Sequence, residues 1–116
     1  MRNKSIAFAF LALAASVMPA AAHAFLDHSD PRVGNTVKSS PSAVTLWFTQ
    51  KLEPAFSSAQ VTNASGAVVS TGASVSGTVV RVGVRSLPPG TYRVHWKVLS
   101  VDTHTTEGNF TFRVDQ

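Results

Sequence analysis

The chain has 116 residues, a formal charge of +4 and no cysteine. That length suits one small domain. The absence of cysteine excludes disulfides and thiolate metal sites, and the mild, scattered positive charge offers none of the basic blocks that bind nucleic acid.

The first residues read as an export signal. Met1-Arg-Asn-Lys4 is a short positive segment, and Ile6 to Val17 is an apolar run. The run fits the ~7–15 residues of a signal-peptide core and falls short of the ~20 needed to span a bilayer as a helix. Pro19 and the small residues Ala20-Ala21-Ala22 follow, which fits cleavage before His23. A cut before Phe25 also satisfies the A-x-A pattern, through Ala22-His23-Ala24. We take the first reading: residues 1–22 are a cleaved secretory signal and residues 23–116 are a single domain in the periplasm. Arg2 and Lys4 leave with the signal, and so do both methionines, Met1 and Met18. The mature chain then contains no sulfur.

The remainder reads as β. Val44, Leu46 and Phe48 alternate with polar neighbours, leaving Trp47 on the other face, where it packs under the N-terminal segment or stays partly exposed. Ala59–Asn63 and Ala67–Ser70 are shorter, weaker candidates. Ser65 to Thr78 is rich in small polar residues and reads as hairpin turns. Val80, Val82 and Val84 alternate again. Thr91 to Val101 is the clearest strand, with Tyr92, Val94, Trp96 and Val98 on one face and Arg93, His95 and Lys97 on the other. Phe110, Phe112 and Val114 form the last. Period-two patterning marks half-buried antiparallel strands, and several short strands between turns imply an all-β Greek-key sandwich or barrel.

The polar cluster Ser100-Val-Asp-Thr-His-Thr-Thr-Glu-Gly108 carries the chemistry. In an extended chain, residues two apart project to one face, so Asp102 and His104 are expected side by side at the end of the strongest strand. Alone, the pair reads first as a carboxylate and an imidazole that merely hydrogen-bond each other in a loop. A histidine at the mature N-terminus adds weight. His23 would offer its α-amine and its Nδ1 to one ion, and an α-amine, with a pKa of about 7.7–8.0, gives up its proton at little cost near neutrality. Three nitrogens and one oxygen are the set that a tetragonal Cu(II) site prefers. The other histidines read as bystanders: His28 as a solvated loop residue near His23, and His95 as a surface residue between Arg93 and Lys97. Asp27 and Asp30 read as turn formers before Pro31, and Glu107 as solvated or lying just outside the ligand set.

At these residues the mature sequence resembles the CopC family of periplasmic copper-binding proteins. The resemblance rests on His23-Ala-Phe-Leu-Asp-His-Ser-Asp-Pro31, Leu46-Trp-Phe-Thr49, the phrase Leu87-Pro-Pro-Gly-Thr-Tyr-Arg-Val-His-Trp-Lys-Val-Leu-Ser-Val-Asp-Thr-His104, and Gly108-Asn-Phe-Thr-Phe-Arg-Val114. It implies a cupredoxin-like or immunoglobulin-like β domain that holds one Cu(II) per chain through His23, Asp102 and His104. It also implies a role in copper homeostasis or resistance beside an inner-membrane, CopD-like copper transporter, with no enzymatic activity. Two departures stand out. The middle segment, Val61 to Val80, lacks the methionines that bind Cu(I) in some relatives, and Gln50 stands where some have Glu. Two other classes compete. A histidine-brace monocopper oxygenase also uses an N-terminal His on a β-sandwich, but it needs an open coordination position, and a charged Asp102 ligand argues against one. An adhesion or carbohydrate-binding sandwich would make the histidines incidental.

Overall fold

The computed structural model describes residues 24–115; the segment expected to be a cleaved signal, and His23, lie outside the described residues. Eight strands form two four-stranded sheets. They are β1 (Leu26–Asp30), β2 (Thr36–Val37), β3 (Ala43–Phe48), β4 (Ser58–Thr62), β5 (Ser70–Ser76), β6 (Val79–Val84), β7 (Gly90–Leu99) and β8 (Thr105–Val114). One sheet has the order β1-β3-β6-β5 and the other β2-β8-β7-β4. All neighbours are antiparallel except β2 and β8. The expected all-β sandwich is therefore what forms.

Alternation explains the core. Val44, Leu46 and Phe48 of β3 and Val80 and Val82 of β6 face inward from one sheet. Tyr92, Val94, Trp96 and Val98 of β7, with Phe110, Phe112 and Val114 of β8, face them from the other. Burying a side chain of this size stabilises by about 1.5–3 kcal/mol, so the inward rows hold the sheets together without a disulfide. The Tyr92 hydroxyl donates to the Pro88 carbonyl, which ties the Leu87–Gly90 turn to the strand it starts.

Three strands depart from the sequence reading, the two-residue β2 among them, which no expected strand covers. The segment expected as turns from Ser65 to Thr78 contains β5, a seven-residue edge strand. It pairs only with β6 and is mostly exposed on both faces, so it has no apolar side to announce it. The candidate strand Ala67–Ser70 keeps an isolated bridge between Val68 and Thr62, while its last residue, Ser70, opens β5. Likewise β1 takes up Asp27, His28 and Asp30, which had looked like loop and turn residues. A register shift between Leu26 and His28 breaks its pattern.

Gly108 sits opposite Trp96 in the β7–β8 register. A Cβ there would lie 2.4 Å from the indole Cζ2 and 2.8 Å from Cε2. The ring lies across the glycine, so no side chain fits unless a buried tryptophan moves. Gly108→Ala is expected to destabilise the domain by about 1–3 kcal/mol, as overpacking does. Thermal unfolding should register a loss of roughly 4–8 °C in Tm per kcal/mol; an unchanged Tm would contradict the packing described.

Candidate metal centre

The β7–β8 hairpin closes through Val101-Asp102-Thr103. The Ser100 N–H donates to the His104 carbonyl at 3.0 Å, and the Thr103 N–H donates to the Ser100 carbonyl at 2.8 Å. Thr103 takes a left-handed conformation with φ 72°. Glycine is usual where a three-residue hairpin loop needs that conformation, and a β-branched residue there carries strain of about 1–3 kcal/mol.

Asp102 and His104 do come together: Asp102 Oδ1 is 3.4 Å from His104 Nδ1. The cause differs from the expected one. Asp102 lies in the turn rather than in an extended strand, so the tight loop, not the pleat, turns the two side chains toward each other. They are 37% and 48% exposed, open enough for an ion to enter and leave.

Ser100, which the sequence reading passed over, underlies the pair. It is fully buried. Its hydroxyl donates to Asp102 Oδ1 and accepts from the His104 N–H at 3.3 Å. One buried side chain thus touches both residues. The Ser100 hydroxyl is the main reason the Asp102 carboxyl is held below the usual carboxylate range; desolvation opposes it, and the hydrogen bonds and charge of His104 assist. Asp102 is therefore ionised at neutral pH and has no proton to release when a cation binds.

Two further segments reach this end of the sandwich. Ala24 is fully buried, and its carbonyl accepts from the Thr106 hydroxyl at 2.7 Å. The Phe25 N–H donates to Thr49 Oγ1 at 2.9 Å, while the Thr49 N–H returns to the Phe25 carbonyl at 2.9 Å. The Val101 N–H donates to the Lys51 carbonyl at 3.0 Å, and Leu52 bridges Ser100. Residues 24–25, 49–52 and 100–106 thus meet at one edge, which brings the neighbourhood of Gln50 to the hairpin.

The remaining histidines lie elsewhere. His28 stacks on Trp47 with ring centroids 4.3 Å apart, and its Nδ1 is 2.7 Å from Asp27. It is a strand residue rather than a loop one, and its ring is what covers Trp47. His95 meets Glu107 and Asn109 on β8, so Glu107 turns toward His95. Among the described residues, no three His, Asp or Glu side chains converge on one point.

The CopC domain family matches residues 26–115 of the chain. Protein YobA of Escherichia coli strain K12 is 34% identical over 118 residues, covering 96% of this chain and 95% of its own. The crystal structure of CopC from Methylosinus trichosporium OB3b superposes with a TM-score of 0.76 at 34% identity, covering 80% of this chain and 94% of that one. PcoC of Escherichia coli, described as a methionine-rich copper resistance protein, gives 0.73 at 33% identity, covering 81% of this chain and 100% of that one. The chain belongs to the CopC family.

Ser100→Ala is expected to keep the fold, because the group lost is one hydroxyl. It should raise the Asp102 pKa toward the ordinary range. A carboxyl depressed in the folded state stabilises above its unfolded pKa, and that stability is lost as pH falls through the folded value. The variant should therefore lose part of the wild-type dependence of stability on pH in the acid range below about 3.9. Carboxyl NMR titration of Asp102 checks this; an unchanged titration would show that Ser100 does not set it.

Proposed function

We propose that this CopC-family chain is a periplasmic Cu(II) carrier that serves copper homeostasis or resistance. Its one Cu(II) is held by the amine and imidazole of His23, the Asp102 carboxylate and the His104 imidazole, after cleavage of residues 1–22. The observation that carries the reading is the anchoring of Ala24 beside Thr106. A single peptide unit, about 3.8 Å between Cα atoms, joins residue 24 to residue 23, and Thr106 follows His104 by two positions in the chain. Termini are poorly ordered unless tied down, and Ala24 supplies a tie that would hold an N-terminal ligand close to the hairpin.

Copper is cargo in this reading. The donor set is nitrogen and oxygen, which suits Cu(II), whereas Cu(I) prefers thioether and thiolate sulfur. The chain's two methionines both lie at or before residue 18, so the mature protein has no sulfur with which to hold Cu(I) and is a Cu(II) protein only. The partial exposure of Asp102 and His104 fits handover of the ion to a CopD-like inner-membrane transporter. A fully coordinated ion is held rather than used for catalysis, so the chain is assigned no enzymatic activity.

Competitive Cu(II) titration tests this. Wild type is expected to bind one Cu(II) per chain. His104→Ala should weaken binding by more than the ~10–100-fold that a residue just outside a metal's ligand set typically contributes, and Asp102→Asn should weaken it too. Unchanged affinity in both variants would overturn the ligand assignment. Affinity should also fall with pH. Copper needs unprotonated imidazole and amine, whose ordinary ranges lie near ~6.5 and ~7.7–8.0. Asp102, held low, stays ionised across that window, so the loss comes from the nitrogens. Copper fully retained at pH 4 would contradict the set.

A further inference from the structure

The outer face of the β7–β8 hairpin gathers a second set of ligating atoms. His95 pairs in register with Asn109, and Glu107 lies two residues before Asn109 along β8. His95 Nδ1 is 3.0 Å from Asn109 Oδ1, and His95 Nε2 is 3.1 Å from Glu107 Oε2. An amide oxygen can only accept, so Nδ1 donates the hydrogen. A neutral imidazole has one proton, so its Nε2 then turns a lone pair toward a carboxylate oxygen. Two acceptors that close repel unless a cation lies between them, either a second proton on the ring or a metal ion.

We propose that His95 and Glu107 form a second, surface site for a divalent transition-metal ion of the Zn(II) or Cu(II) class, completed by water and oriented by Asn109. The geometry suits it. Bonds of about 2.0–2.2 Å from nitrogen and oxygen to one ion, at angles between square and tetrahedral, hold the two ligand atoms about 2.8–3.5 Å apart. The observed 3.1 Å lies inside that interval. A ligating histidine characteristically donates its other N–H to a carboxylate or carbonyl, which fixes the tautomer and the ring; the Asn109 side-chain amide oxygen is in that place. The two side chains are 38% and 54% exposed, and a surface groove of about 460 Å³ opens beside His95, leaving room for coordinated water. The opposing charge is Lys97, the register partner of Glu107, with Arg93 two residues before His95 on β7. These cations and the two-ligand count make the site weaker than the proposed copper site. It would raise the chain's capacity from one ion to two.

Zn(II) added to the copper-free protein at pH 7.5, followed by NMR of the imidazole nitrogens, tests this residue by residue. The His95 Nε2 resonance is expected to move from a lone-pair position to a metal-bound one. Glu107→Gln should suppress that shift of His95 and leave the response of His104 intact. Asn109→Leu should weaken the His95 response by about 10–100-fold. A response of His104 without one of His95 overturns the second site and leaves the copper reading untouched. So does an Nε2 that is protonated at pH 7.5 and unmoved by excess Zn(II), since a proton then fills the gap.

Discussion

Ala24 is fully buried, and its carbonyl accepts a hydrogen bond from the Thr106 hydroxyl. Chain ends are ordinarily the least ordered part of a domain unless something ties them down. Here the tie is double, because Phe25 and Thr49 also exchange hydrogen bonds just downstream. An N-terminal amine serves as a metal ligand at less cost when the chain behind it is already fixed, since ordering a free residue costs about 1–2 kcal/mol of backbone entropy. The sandwich meets that cost in its own folding, through the packing that buries Ala24. The proposed copper site depends on this clamp more than on any property of the ligands themselves.

The other half of the proposed site is built with the same economy. The β7–β8 hairpin is the most extended pairing among the described residues, with ten residue pairs in register from Gly90↔Val114 to Leu99↔Thr105. It delivers its turn to the edge where residues 24–25 and 49–52 meet. Thr103 sits there in a left-handed conformation that its side chain disfavours. Strain of this kind persists where the surrounding structure over-determines it; here the Ser100 and Thr103 backbone bonds and the buried Ser100 hydroxyl do so. The outcome is a carboxylate and an imidazole held together in a loop that remains open to solvent.

Much of this was legible in the sequence because inward rows of a sandwich must be apolar. The rows Val44-Leu46-Phe48, Tyr92-Val94-Trp96-Val98 and Phe110-Phe112-Val114 announce themselves by period two. β5 does not, because an edge strand with both faces exposed has no apolar side to display. β1 was hidden by its register shift and by His28 and Asp27, whose types suggest a loop. The Asp102–His104 pair was found for an incomplete reason: spacing gave the proximity, but the turn produces it. Ser100 was missed because a buried serine bonded within four residues of itself leaves no pattern in the sequence. The contact of His95 with Glu107 was missed because it joins two strands whose register the sequence does not print.

The proposed copper site turns on whether His23 is the first residue of the working protein and a ligand. The most direct measurement is a competitive Cu(II) titration of two forms, one beginning at His23 after authentic secretion, with its start verified by intact mass, and one carrying a single extra residue before His23. Far tighter binding by the authentic form is expected, because only that form has its amine on the residue joined to Ala24. Equal binding by the two forms, or a secreted chain that starts at Phe25, would remove His23 from the site. Asp102 and His104 alone would then be too few to carry a copper function.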